Sequence, residues 1–447
     1  MTQPPAIDPS WLDELSEFLR IPSVSADPAH ADDVHRAAEW VCEFVRGAGG
    51  TCELVQVNGR DLAIGEIRAS RDADSAPTIQ VYGHFDVQPP APLDAWESPP
   101  FEPTQRDGWL YARGVADDKG QLYMLLKAAS QLAAAGELPV NVRVTCDGEE
   151  EIGGHSIVDF IAEDERGADA CIIFDAGMVA RGVPAFYIAT RGMTYFHLRV
   201  RTGERDLHSG VFGGAALNAC HALVQTLSGV MQRDGRLPEP LRVGIAPVTD
   251  EERQSWEAVP AGADVLGDQG ARPADPKAAQ EFYVRTFAEP ALDVNGVEGG
   301  SPQLQKTVLP VLAEANLSIR LAPGQSVETI APEVERLLRE SAPAGAEIEL
   351  KRLSAAPPGL VPPDSQAIQL GLEAFERALG VRPLLLRSGG TLPIVPALVD
   401  RGTPTIITGF DLPEGNVHSP NERLLLEHFP LGIEAARQLF LSLARLG

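Results

Sequence analysis

The chain has 447 residues, and its 37 Lys and Arg against 63 Asp and Glu give a formal charge of −26. With 44% hydrophobic and 22% charged residues it can bury large cores, so disorder along the whole chain is excluded. Because phosphate binding needs clustered Lys and Arg and an anionic membrane attracts basic segments, we expect neither nucleic acid nor membrane as a partner.

The first part of the chain alternates between helical and strand patterns. Apolar spacing predicts three helices and three strands, which are helices over residues 9–20, 32–46 and 121–135 and strands over 78–82, 140–146 and 170–174. Strands that alternate with helices are typical of an α/β sheet with parallel strands. We therefore predict an α/β fold for this part.

The pattern changes after about residue 190. The following region is predicted to contain a strand over 195–201, a long helix over 215–231, an irregular stretch over 234–302, a strand over 316–321 and helices over 327–340 and 365–379. A strand over 404–408 and a helix over 427–446 then return to the first pattern. We predict a mostly parallel-sheet main domain from 1–190 and 387–447, with an α+β domain inserted at 191–386.

The cysteines and the first residues bear on location. The chain has five cysteines, an odd number without C-x-x-C spacing, which is typical of reduced thiols in the cytoplasm. The N-terminal residues show no basic region followed by an apolar run, so we expect no signal peptide. A cytoplasmic location is therefore predicted.

Polar side chains cluster at the ends of the predicted strands. They are His84 and Asp86 after 78–82, Glu149 to Glu151 after 140–146, Asp175 after 170–174, His418 beyond 404–408, and Asp117 and Asp118 before the helix at 121. In open α/β sheets, ligands bind beyond the carboxyl ends of the strands. We therefore expect these side chains to converge in one crevice.

Two imidazoles with several carboxylates and no cysteine form a ligand set suited to Zn²⁺, Mn²⁺ or Co²⁺. One carboxylate shared by two cations, each with one His and one further carboxylate, would complete a two-metal centre that activates a water. Without cations, so many acids would raise one another's pKa and destabilise the fold. The residues thus predict two divalent cations, with zinc as the first candidate.

Five motifs occur in a fixed order along the chain. They are GHFDVQP at 83–89, RGVADDKG at 113–120, DGEEEIG at 147–153, DLHSG at 206–210 and VHSPN at 417–421. In this order they resemble the successive motifs of the M20 metallopeptidases. Segments similar to the carnosinase-like dipeptidase branch extend from about residue 10 to 440. One HxD pattern would indicate little, but five ordered motifs are specific.

The resemblance implies a ligand for each position of the metal centre. Asp117 would bridge the two cations and form a cis peptide bond with Asp118. The other four ligands would divide between the cations, with His84 and Asp175 on one and Glu151 and His418 on the other.

The resemblance also implies roles beside the cations. Glu150 would be the general base that takes a proton from the bridging water, and Asp86 would hold the imidazole of His84. His208 would stabilise the oxyanion, and in dimeric relatives it comes from the partner subunit. Residues 1–190 and 387–447 would then form the catalytic domain, residues 191–386 a lid or dimerisation domain, and the protein a homodimer.

The same resemblance also implies some of the substrate-binding residues. Thr307 and Arg320 look like the family's carboxylate-binding pair, and Gly389-Gly390-Thr391 resembles its glycine-rich substrate loop. Asp at position 175 resembles the dipeptidase and aminopeptidase branches. Carnosinase-like relatives often carry an acid where this chain has Ser388, which leaves recognition of a free amine open.

These features predict a dinuclear metal-dependent hydrolase that cleaves the amide bond of dipeptides or small N-acyl amino acids. The alternative within the family is an N-acyl-amino-acid deacylase or a carboxypeptidase. From another class, an inactive metal-binding scaffold would have lost the base or part of the ligand set. This sequence keeps both Glu150 and the five ligand residues.

Overall fold

The computed structural model describes residues 7–390 and 392–446. The chain forms two compact units, each with its own core. The first unit contains the described residues of Met1–Ile188, Val361–Leu386 and Pro393–Gly447, and the second contains those of Ala189–Leu360 and Arg387–Leu392.

The elements follow in chain order. Up to the end of the first long segment they are α1 (Pro9–Leu19), α2 (Ala31–Gly47), β1 (Thr51–Val57), β2 (Arg60–Ile67), β3 (Thr78–His84), β4 (Thr104–Arg106), β5 (Trp109–Tyr111), α3 (Lys119–Ala134), β6 (Asn141–Asp147), α4 (Ser156–Glu163), β7 (Ala170–Phe174) and β8 (Ala185–Thr190). The next are β9 (Gly192–Arg201), β10 (Leu207–His208), α5 (Ser209–Phe212), α6 (Ala219–Leu227), α7 (Asp250–Glu257), α8 (Gly262–Asp268), β11 (Ala291–Gly299), β12 (Val308–Leu309), β13 (Leu312–Leu321), α9 (Val327–Ser341), β14 (Glu347–Ala356) and β15 (Gly359–Leu360). The last are α10 (Gln366–Leu379), β16 (Leu384–Ser388), α11 (Ile394–Asp400), β17 (Thr405–Thr408), β18 (Arg423–Leu425) and α12 (His428–Leu443).

The central sheet of the first unit has six strands in the order β1-β2-β6-β3-β7-β17. Strands β6, β3, β7 and β17 run parallel, while the β1–β2 hairpin adds two antiparallel strands at one edge. All five residues of β7 are buried, as expected of a parallel strand covered on both faces. The predicted α/β class with a mostly parallel sheet is confirmed.

A smaller sheet in the same unit brings two distant segments together. Strand β5 pairs antiparallel with β18, so that Tyr111 lies opposite Arg423, and the backbone N–H of Ala112 donates to the carbonyl of Glu422 at 3.2 Å. The segment after β5 and the segment before β18 therefore leave this ladder side by side. Both carry predicted site residues.

Helix α10 belongs to the first unit, whereas the sequence placed it in the inserted domain of 191–386. Its apolar face, including Ile368, Leu372 and Phe375, is buried in the core that also holds Leu439 and Phe440 of α12. The predicted boundary at 386 is therefore wrong for residues 361–386, because this helix completes the core of the first unit.

The second unit is built on a four-stranded antiparallel sheet with the order β11-β13-β9-β14. Burial alternates along β9, and its inward side chains Phe196, Leu198 and Val200 share a core with α6 and α9. The sheet and its helices make this unit α+β.

Two predictions for the second unit are wrong in detail. The expected helix over 215–231 is only Ala219–Leu227, because the Asn218 side chain accepts hydrogen bonds from the first turn and starts the helix there. The stretch expected to be irregular, 234–302, contains α7, α8 and β11. Its two helices have only 8 and 7 residues, which is too short for an apolar period to be evident.

Within residues 7–390 and 392–446, no helix combines the length and the apolar character needed to cross a membrane. All five cysteines are free thiols, and four of them are buried.

Candidate metal centre

Four of the predicted site residues lie close to the point where an element of the first unit ends or begins, and a fifth lies in a loop. His84 is the last residue of β3, and Asp175 directly follows β7. Glu151 lies in a short 3₁₀ turn after β6, and Asp117 lies two residues before α3. His418 lies in the loop between β17 and β18. Because β3, β6 and β7 are parallel neighbours, their carboxyl ends deliver these side chains to one edge of the sheet.

The side chains form two groups that share Asp117. In the first group, Nε2 of His84 lies 2.9 Å from Oδ1 of Asp117 and 4.0 Å from Oδ2 of Asp175. In the second, Nε2 of His418 lies 2.8 Å from Oδ2 of Asp117 and 3.1 Å from Oε2 of Glu151. In each group the three ligand atoms lie within 4.8 Å of one another, close enough for one cation. The two oxygens of Asp117 thus face two different imidazoles.

The electrostatics reflect this crowding of charge around Asp117. Hydrogen bonds with Asp117 and Glu151 raise the pKa of His418 to about 10. Burial would lower the pKa of His84, but hydrogen bonds with Asp117 and Asp86 raise it well above its ordinary value. Burial would likewise raise the pKa of Asp117, but the two imidazoles lower it. In this ligand set the imidazoles supply the positive charge.

In contrast to Asp117, two other carboxyl groups have a pKa above the ordinary value. Burial, with the charge of Asp117, raises the pKa of Asp175 well above its ordinary value. Burial also raises the pKa of Glu150 to about 7, and Asp117 and Glu151 add to the shift while His84 opposes it. The centre therefore holds more carboxylates than its two imidazoles can offset.

Asp86 and Gln88 contact two of the candidate ligand side chains, His84 and Glu151. Oδ1 of Asp86 lies 3.2 Å from Nδ1 of His84, and its Oδ2 accepts a hydrogen bond from the backbone of Glu151 at 3.2 Å. Gln88 donates from its backbone to Oε1 of Glu151 at 3.1 Å and from its side chain to Oε2 at 2.8 Å. Partners of this kind fix the orientation of a ligand. Gln88 lies within the first motif, but nothing in the sequence pattern indicates this contact.

The backbone at Asp117 has the expected form. The peptide bond between Asp117 and Asp118 is cis, as the family resemblance implies. Asp118 is buried, and its Oδ2 accepts a hydrogen bond from the backbone N–H of His84 at 3.3 Å. A Cβ at Gly83 would lie 2.6 Å from that oxygen, so this position requires glycine for close approach.

Glu422 is a residue of the site that the sequence analysis missed. Its fully buried carboxylate accepts hydrogen bonds from Arg113 and from the backbone N–H groups of Gly114, Ala116 and Asp117. It directly follows the VHSPN motif, and a lone glutamate before an apolar strand gave no signal of this role.

The remaining predicted residues belong to the second unit. His208 is exposed at the end of β10, opposite Val308, and its Nδ1 accepts a hydrogen bond from the backbone of Gly210 at 3.0 Å. The carbonyl of Thr307 accepts hydrogen bonds from the backbone and hydroxyl of Ser209, which brings Thr307 next to His208. The roles of both residues stay predictions.

Arg320 and the glycine loop also lie in the second unit. Arg320 is half-buried on β13, where it pairs with Met193 of β9. The Gly390 carbonyl accepts a hydrogen bond from the backbone of Arg191 at 3.0 Å, and its N–H donates to the Ser388 hydroxyl at 3.0 Å. Thr391 lies outside the described residues.

The donor set of the two groups fits divalent cations. Each group offers one imidazole nitrogen and two carboxylate oxygens, the borderline set that Zn²⁺, Mn²⁺ or Co²⁺ accepts. The raised pKa of Asp175 and Glu150 agrees, since added positive charge would relieve both shifts. A mainly parallel α/β sheet with two such groups at its strand ends suits a metal-dependent hydrolase.

Comparison with known proteins identifies the family. The model of Peptidase family M20/M25/M40 matches residues 81–442, most of the chain and all five motifs. The chain belongs to this peptidase family. The membership that the ordered motifs predict is thereby confirmed.

Individual relatives cover nearly the whole chain. The Cysteinylglycine-S-conjugate dipeptidase of Corynebacterium striatum is 29% identical over 92% of this chain and 90% of its own length. The Beta-Ala-His dipeptidase of Homo sapiens is 26% identical over 98% of this chain and 90% of its own length. Among solved structures, the M20 family metallo-carboxypeptidase Sso-CP2 from Sulfolobus solfataricus has a TM-score of 0.83 and 26% identity, over 98% of this chain and 99% of that one.

Proposed function

We propose that this chain is a dinuclear metal-dependent hydrolase that cleaves the amide bond of dipeptides or small N-acyl amino acids. The observation that carries the proposal is the division of Asp117 between two ligand groups, one with His84 and one with His418. A carboxylate that presents each oxygen to a different imidazole suits two cations better than one. The dipeptidase names of relatives that align along nearly the whole chain support the substrate class.

The five ligand side chains would hold the two cations, with Zn²⁺ as the first candidate. His84, Asp117 and Asp175 would hold one, and Asp117, Glu151 and His418 the other. When bound, such cations polarise a carbonyl and lower the pKa of water. Asp86 and Gln88 would keep His84 and Glu151 in orientation through the contacts described above.

Glu150 would act as the general base and later as the general acid. It lies next to the proposed ligand Glu151, and its carboxyl is half-buried. A carboxylate beside the cations can accept a proton from water and return it to the leaving nitrogen. Its neighbour Glu149 instead accepts a hydrogen bond from the backbone of Ser156 at 2.7 Å, so its carboxylate is engaged in the fold.

The substrate grip is proposed to come from the second unit. Arg320 and Thr307 would bind the free carboxylate of the substrate, since an Arg fork matches a carboxylate with two hydrogen bonds. Gly390 and Thr391 would meet the substrate backbone. Because Ser388 stands where an acid is common among the carnosinase-like relatives, a free amine need not be required.

We also propose a homodimer formed through the second unit, with His208 of one subunit serving as oxyanion donor for the other. Exposed apolar side chains lie next to His208: Val211 and Phe212 follow it on α5, and Val308 lies opposite it. Contiguous exposed apolar groups are typical of an interface. Sedimentation with activity measurement tests the proposal, because a fully active monomer would exclude a donated His208.

A carboxypeptidase is the second candidate function. The carboxypeptidase Sso-CP2 has a TM-score of 0.83 with this chain and is covered to 99% of its length. A carboxypeptidase and a dipeptidase both require a free carboxylate on the substrate. Their substrates differ on the N-terminal side, which is longer or blocked for a carboxypeptidase and a single free residue for a dipeptidase. The choice between the two functions can therefore be made from which substrates the protein cleaves.

The experiment is a substrate panel with and without metal. Free dipeptides, the same dipeptides with N-acetyl groups, and tripeptides are assayed with Zn²⁺, Mn²⁺ and Co²⁺, before and after chelation. We expect cleavage of free dipeptides that chelation abolishes and metal restores. Preference for blocked or longer peptides would favour the deacylase or carboxypeptidase, and activity in metal-free protein would refute the metal-dependent mechanism.

We propose a cytoplasmic location, which the five free thiols support because reducing compartments preserve them. Fractionation of the source cells tests it.

A further inference from the structure

The segment that carries Asp117 and the segment that carries His418 are about 300 residues apart in the sequence, and one side chain joins them. Glu422 accepts a hydrogen bond from the backbone N–H of Gly114 at 3.0 Å, of Ala116 at 2.9 Å and of Asp117 at 3.1 Å. It thereby holds three backbone groups of the segment that ends in the shared ligand. Glu422 itself lies four residues after His418.

The same carboxylate also has a charged partner. Nη1 of Arg113 donates to Oε2 of Glu422 at 2.5 Å, and both side chains are buried, with 1% and 0% of their surface exposed. Nη2 of Arg113 lies 3.4 Å from the carbonyl of Ser419, which is next to His418. Arg113 therefore adds a second link from the Asp117 segment to the His418 segment.

The ladder between β5 and β18 explains why these contacts form. Its pairing continues past the strands, since the N–H of Ala112 donates to the carbonyl of Glu422 at 3.2 Å. The two segments leave the ladder side by side, and the Glu422 side chain closes the gap between them. A carboxylate that receives charge-assisted and backbone hydrogen bonds in a buried place is held in one position.

His418 needs such support because its own backbone is unfavourable. Its φ angle is 62°, in the left-handed region that residues other than glycine rarely adopt. A residue of this kind keeps its conformation only where the surrounding structure fixes it. Here the N–H of Ser419 donates to the carbonyl of Asn416 at 2.9 Å, and the Asn421 side chain contacts the backbone of Ala95 and Glu97.

We infer that Glu422 is a positioning residue that sets the distance between Asp117 and His418, and so determines whether the second cation site is formed. This inference rests on the proposed function, because it presumes that these side chains bind cations. It assigns Glu422 no contact with substrate or reacting atoms. Its effect is on the affinity of the ligand group that contains Glu151 and His418.

The test is zinc binding by Glu422→Gln. A glutamine presents an NH₂ group where the carboxylate accepts hydrogen bonds, so it cannot hold Arg113 and all three backbone groups together. We expect the wild type to bind two equivalents of Zn²⁺ in titration calorimetry. In the variant we expect at least one equivalent to bind 10- to 100-fold more weakly, on the order found when partners of metal ligands are removed.

Asp164→Asn is the matched control in the same unit. Asp164 also receives a two-pronged Arg contact, from Arg143 at 2.6 and 2.8 Å, and accepts from the backbone of Gly167 and Arg166. Asp164→Asn should lower the melting temperature, while both equivalents of Zn²⁺ bind with wild-type affinity. A general loss of stability would instead weaken zinc binding in both variants to the same extent, and that result would overturn the inference.

Glu422→Asp keeps the charge beside Arg113 and so preserves the fold if Glu422→Gln does not. The aspartate side chain is shorter than that of glutamate by one carbon–carbon bond, about 1.5 Å, so its carboxylate cannot reach all the partners of Glu422. Weaker binding of one zinc equivalent in this variant supports the inference, and wild-type affinity for both overturns it. If the wild type itself binds no zinc, the proposed function fails instead.

Discussion

The Nε2 atom of His418 lies 2.8 Å from Oδ2 of Asp117, although about 300 residues separate the two in the sequence. The other oxygen of Asp117 lies 2.9 Å from His84, at the end of a different strand. Asp117 is thus the one side chain common to both ligand groups. A two-cation centre at this site depends on that sharing.

Removing the proposed base should separate catalysis from metal binding. Glu150→Gln keeps every ligand atom but cannot accept a proton, so we expect two bound cations and a kcat about 10²- to 10⁴-fold lower. Metal content and steady-state hydrolysis of a dipeptide measure both effects. Glu149→Gln is the control, because Glu149 caps α4 through Ser156, and turnover close to the wild type is expected. Unimpaired turnover in Glu150→Gln would assign the base to another residue.

Removing single ligands should distinguish the two sites. His84→Ala deletes a donor of the first group only, and His418→Ala deletes a donor of the second only, so each variant should retain about one cation. Asp117→Ala should retain neither, since both groups lose a ligand. His197→Ala, a half-buried imidazole of the second unit hydrogen-bonded to Asn316, should keep both cations. Equal metal loss in all four variants, measured by elemental analysis after dialysis, would contradict the assignment.

The close approach at Gly83 gives a prediction for stability. In Gly83→Ala the new Cβ would lie 2.6 Å from Oδ2 of Asp118 and 2.9 Å from Leu122, so the neighbours must shift. We expect a loss of about 1–3 kcal/mol in the unfolding free energy of the metal-free protein, measured with urea. Gly47→Ala is the control at the exposed end of α2, where a Cβ meets nothing within 4 Å. Equal stability of the two variants would show that the first position tolerates a side chain.

The proposed carboxylate grip is tested by Arg320. If this guanidinium binds the free carboxylate of the substrate, Arg320→Ala should raise KM about 10- to 100-fold for free dipeptides, a loss of about 1.5–3 kcal/mol for a charged hydrogen bond. The variant and the wild type should differ little on C-terminally amidated substrates. A KM that rises equally for both kinds of substrate would indicate a structural role for Arg320 instead.

Three of the proposed metal ligands could be placed together from the sequence because each adjoins a recognisable element. His84 and Asp175 end short β-rich runs, and parallel strands bring their carboxyl ends to one edge. Asp117 lies just before the strongly apolar helix α3. For these residues, local pattern and sheet geometry together imply the position in space.

The supporting residues could not be predicted in this way. Glu422 acquires its role only through the pairing of β5 with β18, two three-residue strands whose sequences indicate no partner. Helix α10 has an ordinary amphipathic pattern that does not tell which core its apolar face completes. The role of Glu422 and the placement of α10 both depend on contacts between segments distant in the sequence, and no local period of apolar residues indicates such contacts.

The sharing of Asp117 by two cations is tested most directly by an anomalous-difference map from crystals grown with Zn²⁺ and measured at the zinc absorption edge. We expect two peaks on either side of Asp117, one among His84, Asp117 and Asp175 and the other among Asp117, Glu151 and His418. A single peak, or peaks that do not share Asp117, would contradict that sharing.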